Sequence, residues 1–77
     1  HVNFNVELNQ SGKTSLEVFN ANGQLVAVVH EGYLNAGSHR LTWNGKSISG
    51  EKASAGFYFY KLNTADGTTS GKVLMAD

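Results

Sequence analysis

Apolar and polar residues alternate along most of this chain with a period of two, the spacing that sends successive side chains to opposite faces of a β-strand. Val2, Phe4, Val6 and Leu8 alternate with Asn3, Asn5 and Glu7, which predicts a half-buried strand. Asn9 to Lys13 has a turn composition, and Leu16 and Val18 then alternate with Ser15 and Glu17 into Phe19 as a second strand. Asn22-Gly23 separates this strand from the run Leu25-Val26-Ala27-Val28-Val29, a strong hairpin signal, so the second and third strands are expected to pair antiparallel. The run is apolar on both faces, which fits either burial on both sides or a bulge that switches the inward face. Glu31 to Gly37 reads as a connection through Gly32 and Tyr33, after which His39, Leu41 and Trp43 alternate with Arg40 and Thr42 as a fourth strand ending on the indole.

The stretch from Trp43 to Leu62 organises the rest. In Gly56-Phe57-Tyr58-Phe59-Tyr60-Lys61-Leu62 the alternation places Tyr58, Tyr60 and Leu62 on one face and Phe57, Phe59 and Lys61 on the other. Between the two strands, Gly45 to Gly56 has no apolar periodicity and predicts a wide loop with a short strand near Ile48 or Ala53. Ala65-Asp66-Gly67 reads as a turn, and Thr68 to Ala76 as the last strand. No segment shows a helical period. The expected fold is therefore all-β, an antiparallel immunoglobulin-like sandwich of about seven strands, with residues 1–77 forming one domain. Trp43, Tyr58, Leu16, Val18 and Leu41 are the expected core, with a Tyr hydroxyl bonded to backbone near a strand corner.

Composition narrows the function. Six basic and six acidic residues are scattered singly and give zero net charge, so there is no field of the kind that draws proteins to phosphate backbones, and nucleic acid is not an expected partner. The longest apolar run falls far short of the roughly 20 residues a membrane span requires. Cysteine is absent, which excludes disulfides and thiolate metal sites. The chain opens on His1 inside a strand pattern, as a piece of a longer protein would.

No constellation for chemistry stands out, and neither an enzyme nor a cofactor is expected. His1, His30 and His39 are the imidazoles, with Glu31 the nearest acid for a zinc site. The plainer reading has His30 capping a strand end, His39 on a strand and His1 at a frayed terminus. There is no Gly-x-Ser-x-Gly elbow, and Glu7, Glu17, Glu31, Glu51, Asp66 and Asp77 are spread along the chain rather than paired. Outward rings offer the other candidate: Tyr33, Phe57 and Phe59 form a possible docking surface, for a carbohydrate or for a neighbouring domain of the parent protein.

The order of motifs adds a resemblance. Leu16-Glu17-Val18-Phe19-Asn20 with Asn22-Gly23-Gln24-Leu25-Val26, then Leu34-Asn35-Ala36-Gly37-Ser38-His39, Trp43-Asn44-Gly45, Gly50, Ala55 to Leu62 and Lys72-Val73-Leu74 cover nearly the whole chain. The set resembles the C-terminal sorting domains of the type IX secretion system and the closely similar immunoglobulin-like domain of the flagellar hook-capping protein. The sorting resemblance implies a non-catalytic C-terminal module of a larger secreted protein of the Bacteroidetes. Such a module directs its cargo across the periplasm and outer membrane to the cell surface or medium. Its partners would be the outer-membrane secretion machinery and a sortase-like protease, reading the final strand at Gly71, Lys72, Val73, Leu74 and Met75. An accessory module that binds carbohydrate or spaces domains is the alternative. Family loops usually carry an acid at the position of Asn44 and a polar or acidic residue near Ser47, so the resemblance gives only weak support for cation binding here, and Met75-Ala76-Asp77 ends on an acid where sorting domains tend to finish on basic residues.

Overall fold

The computed structural model describes residues 1–76. Its strands are β1 (Val2–Leu8), β2 (Gly12–Phe19), β3 (Leu25–Leu34), β4 (Gly37–Trp43), β5 (Gly56–Thr64) and β6 (Gly67–Met75), and there is no helix among the described residues. The six strands pair antiparallel in two sheets, one of β1 and β4 and one in the order β3-β2-β5-β6. This is the expected immunoglobulin-like sandwich with six strands rather than about seven. Asp77, the terminal acid of the sequence reading, lies outside the described residues.

The alternation of each strand becomes the interior. Phe4, Val6 and Leu8 of β1, Leu16 and Val18 of β2, Trp43 of β4, Tyr58 of β5 and Met75 of β6 are buried, with Leu41, Tyr60, Leu62 and Val73 packed half-buried against them. The sheets meet through two edge-to-face ring pairs, Phe4 on Tyr60 at 5.3 Å and Trp43 on Tyr58 at 5.2 Å. That geometry sets the positive edge of one ring against the negative face of the other. The Trp43 Nε1–H donates to Lys46 O at 2.9 Å, and the Tyr58 hydroxyl donates to Ser54 O at 2.6 Å, so both buried polar tips are satisfied.

Two bulges resolve the apolar run in β3. Against β2 the register steps from Leu16↔His30 to Glu17↔Val28, and from Val18↔Ala27 to Phe19↔Leu25, leaving Val29 and Val26 as extra residues. Each extra residue shifts the phase of the strand by one. Ala27 is therefore buried, Val26 and Val29 pack against the core, and Leu25 and Val28 are exposed.

Three local expectations change. Glu31 to Leu34 continue β3, paired to Gly12–Ser15 of β2, so the connection shrinks to Asn35 and Ala36. His30 accordingly lies inside β3 rather than capping its end. The loop after Trp43 holds no strand; it closes through an isolated Lys46↔Lys52 bridge and folds back under the indole, with Ala53 N donating to Gly45 O at 2.7 Å.

Candidate functional site

Strand register gives the geometry of the outward face of the four-stranded sheet. Directly opposed residues in an antiparallel pair point to the same side. One row across this face is Leu25, Phe19, Phe59 and Lys72, and the next is Val28, Glu17, Lys61 and Ser70. Phe57 and Leu74 form a further pair beyond Phe59 and Lys72. Phe57 is 59% exposed, Phe59 44% and Leu74 60%. The Lys72 ammonium stands 4.9 Å from the Phe57 ring centroid, a cation–π contact across the face of the ring.

Tyr33 is exposed on the same face but does not join Phe57 and Phe59. It pairs with Lys13, at the opposite end of β2 from Phe19, which at about 3.3 Å per residue sets it roughly 20 Å away along the strand. The ring platform expected for a polysaccharide is thus split, and Tyr33 drops out of the apolar patch. Phe19, Leu25, Val28 and Leu74 take its place; sequence periodicity places Phe19 outward, but only long-range register brings the others beside it.

The final strand is a sheet strand along its whole length. From Gly67 to Met75 it pairs with β5, Val73 turns half-buried toward the core, and Met75 is buried. Gly71 lies opposite Tyr60, and a Cβ added there would stand 2.6 Å from the Tyr60 ring. Lys72 and Leu74 are the outward members, and both belong to the patch just described.

The remaining candidates stay apart. Among the described residues no three His, Asp or Glu side chains come together as a metal site. The His39 Nε2 contacts Asn35 O at 2.6 Å, whereas the buried His30 Nε2 has no partner. Asn44 Oδ1 accepts from Lys46 N at 2.9 Å, so its side chain builds the turn after the indole. An open groove of about 500 Å³ runs between β3 and β4 over Ala27, Val29, Trp43 and Ile48, with Lys46 its one ionisable lining residue among those described.

Residues 1–70 match the family model for the FlgD Ig-like domain. The basal-body rod modification protein FlgD of Escherichia coli (strain K12) is 34% identical over 67 residues, covering 86% of this chain and 29% of that protein. The proteins of the same name from Salmonella typhimurium and Salmonella typhi are 33% identical over the same coverage. The chain thus spans less than a third of the length of these curated relatives. These matches overturn the type IX expectation: the relatives are rod modification proteins, not sorted cargo. Outer-membrane secretion machinery and a sortase-like protease therefore fall away as partners, export to the cell surface falls away as the destination, and Gly71 to Met75 lose their role as a sorting strand. The carbohydrate-binding alternative falls with them. Of the two families that the motif order resembles, the match selects one, and this chain belongs to the FlgD Ig-like domain family.

Proposed function

We propose that this chain is a non-catalytic immunoglobulin-like module of a larger protein that modifies the flagellar basal-body rod, and that it works by docking through the outward face of its four-stranded sheet. The match over residues 1–70 carries the reading. Relatives named for basal-body rod modification support that assembly as its setting. The exposed Phe57, Phe59 and Leu74 give it a surface, because apolar side chains grouped on a sheet face mark a place where another protein sits. Docking explains what the module contributes without any reacting group.

Grafting the whole 77-residue chain, so that β6 keeps Lys72, Leu74 and Met75, in place of the matched segment of the Escherichia coli relative tests this. The graft is expected to support swimming in soft agar where deletion of the segment abolishes it. A graft that is folded and expressed at the native level, yet leaves cells immotile like the deletion, contradicts the reading.

A further inference from the structure

We propose that the outward face of the β3-β2-β5-β6 sheet is self-complementary and takes a second copy of this chain, packed face to face about a two-fold axis running along the strands. The inference rests on the docking role given to this face above. Glu17 of β2 and Lys61 of β5 are register partners, as are Phe19 and Phe59. Each pair therefore sits at one height on the face, on neighbouring strands.

An axis parallel to the strands and midway between β2 and β5 lays β2 of one copy over β5 of the other without changing height. Glu17 then faces Lys61 of the second copy, Lys61 faces its Glu17, and the Phe19 and Phe59 rings meet crosswise. Four charges of alternating sign flank four stacked rings. Tilting the axis by about 15° gives the roughly 30° at which aligned sheets pack, so sheet twist does not oppose the arrangement.

Area and charge agree with this occupant. Aromatic side chains carry about 150–250 Å² each, so the exposures of Phe57 and Phe59 leave roughly 200 Å² of ring surface. Leu74, Leu25 and Val28, all more than two-fifths exposed, extend the patch. It reaches the size that marks interaction sites, and the remaining face supplies a polar rim toward the approximately 800 Å² per partner of a specific complex. Six basic against six acidic residues leave no net charge to keep two copies apart.

Sedimentation equilibrium of the 77-residue chain, from micromolar to millimolar concentration, tests the proposal. Average mass is expected to rise from the 8.3 kDa monomer toward twice that value. Phe59→Thr is expected to hold the chain monomeric with an unchanged circular dichroism spectrum. Glu17→Lys or Lys61→Glu alone loses two attractions and creates two repulsions, weakening association by about tenfold, while the double exchange restores it. A mass that stays monomeric throughout overturns the proposal and leaves the face to a different protein. Association indifferent to Phe59→Thr, or not restored by the double exchange, overturns it by placing contact elsewhere. Because mass is read on the isolated chain and swimming on the graft, failure here is distinguishable from failure of the flagellar reading.

Discussion

Trp43 couples three parts of the molecule through one side chain. Its indole is 2% exposed, its ring packs edge-to-face on Tyr58, and its N–H holds the Lys46 carbonyl at the start of the wide loop. Trp43→Ala is expected to lower stability by about 3–5 kcal/mol in urea denaturation, since a small domain cannot refill so large a space. A loss below about 1 kcal/mol contradicts its place in the core. Gly71 acts through what it lacks. Its backbone is not in the left-handed region, but the Tyr60 ring occupies the space of a Cβ. Gly71→Ala is expected to cost about 1–3 kcal/mol by overpacking, and Tyr60→Leu in the same chain to recover part of that loss. Recovery separates a steric cause from a backbone one. Trp43 was legible from its place at the end of an alternating strand, whereas Gly71 was not, because its reason lies in a residue eleven positions earlier on the neighbouring strand.

At the scale of elements, strands were readable wherever period two was unbroken. β1, β2 and β5 follow the alternation of their residues, and the Tyr58 hydroxyl reaches a backbone carbonyl as expected of an immunoglobulin-like sandwich. β3 was harder because two bulges reset its phase, and because Gly32 and Tyr33 look like a connection until Gly12 to Ser15 pair with them. The hairpin between β2 and β3 shows why Asn22-Gly23 marks a turn. Gly23 N donates to Asn20 O at 2.9 Å with Gly23 at φ 82°, while Asn20 Oδ1 accepts from the backbone N–H of both Asn22 and Gln24. Gly23→Ala is expected to cost about 1–2 kcal/mol, because an L-residue there must hold a left-handed conformation. Nothing lies within 4 Å of a Cβ at this position, so the loss isolates backbone strain from packing. Urea melts that superimpose on those of the unsubstituted chain would contradict that assignment.

For the whole molecule, the sandwich was legible and the machinery it serves was not. Trp43-Asn44-Gly45 and the β5 stretch from Gly56 report how the chain folds, and a resemblance carried by such residues speaks to fold before function. Type IX sorting was inferred from one of them, and the match to the FlgD Ig-like domain replaced it. The outward patch was half visible in Phe57 and Phe59. Tyr33 was misplaced into it because strand pairing, not sequence distance, decides which residues become neighbours.

The central claim is that the core holds this module together while its outward face does its work. Phe57→Ser with Phe59→Ser, placed in the swimming graft, separates the two. Phe57 is 59% and Phe59 44% exposed, so urea stability is expected to fall by only about 1–2 kcal/mol, less than for a core ring. Swimming is expected to drop to the level of the deletion. A doubly substituted graft that is equally stable and swims as well as the unsubstituted one would contradict the account.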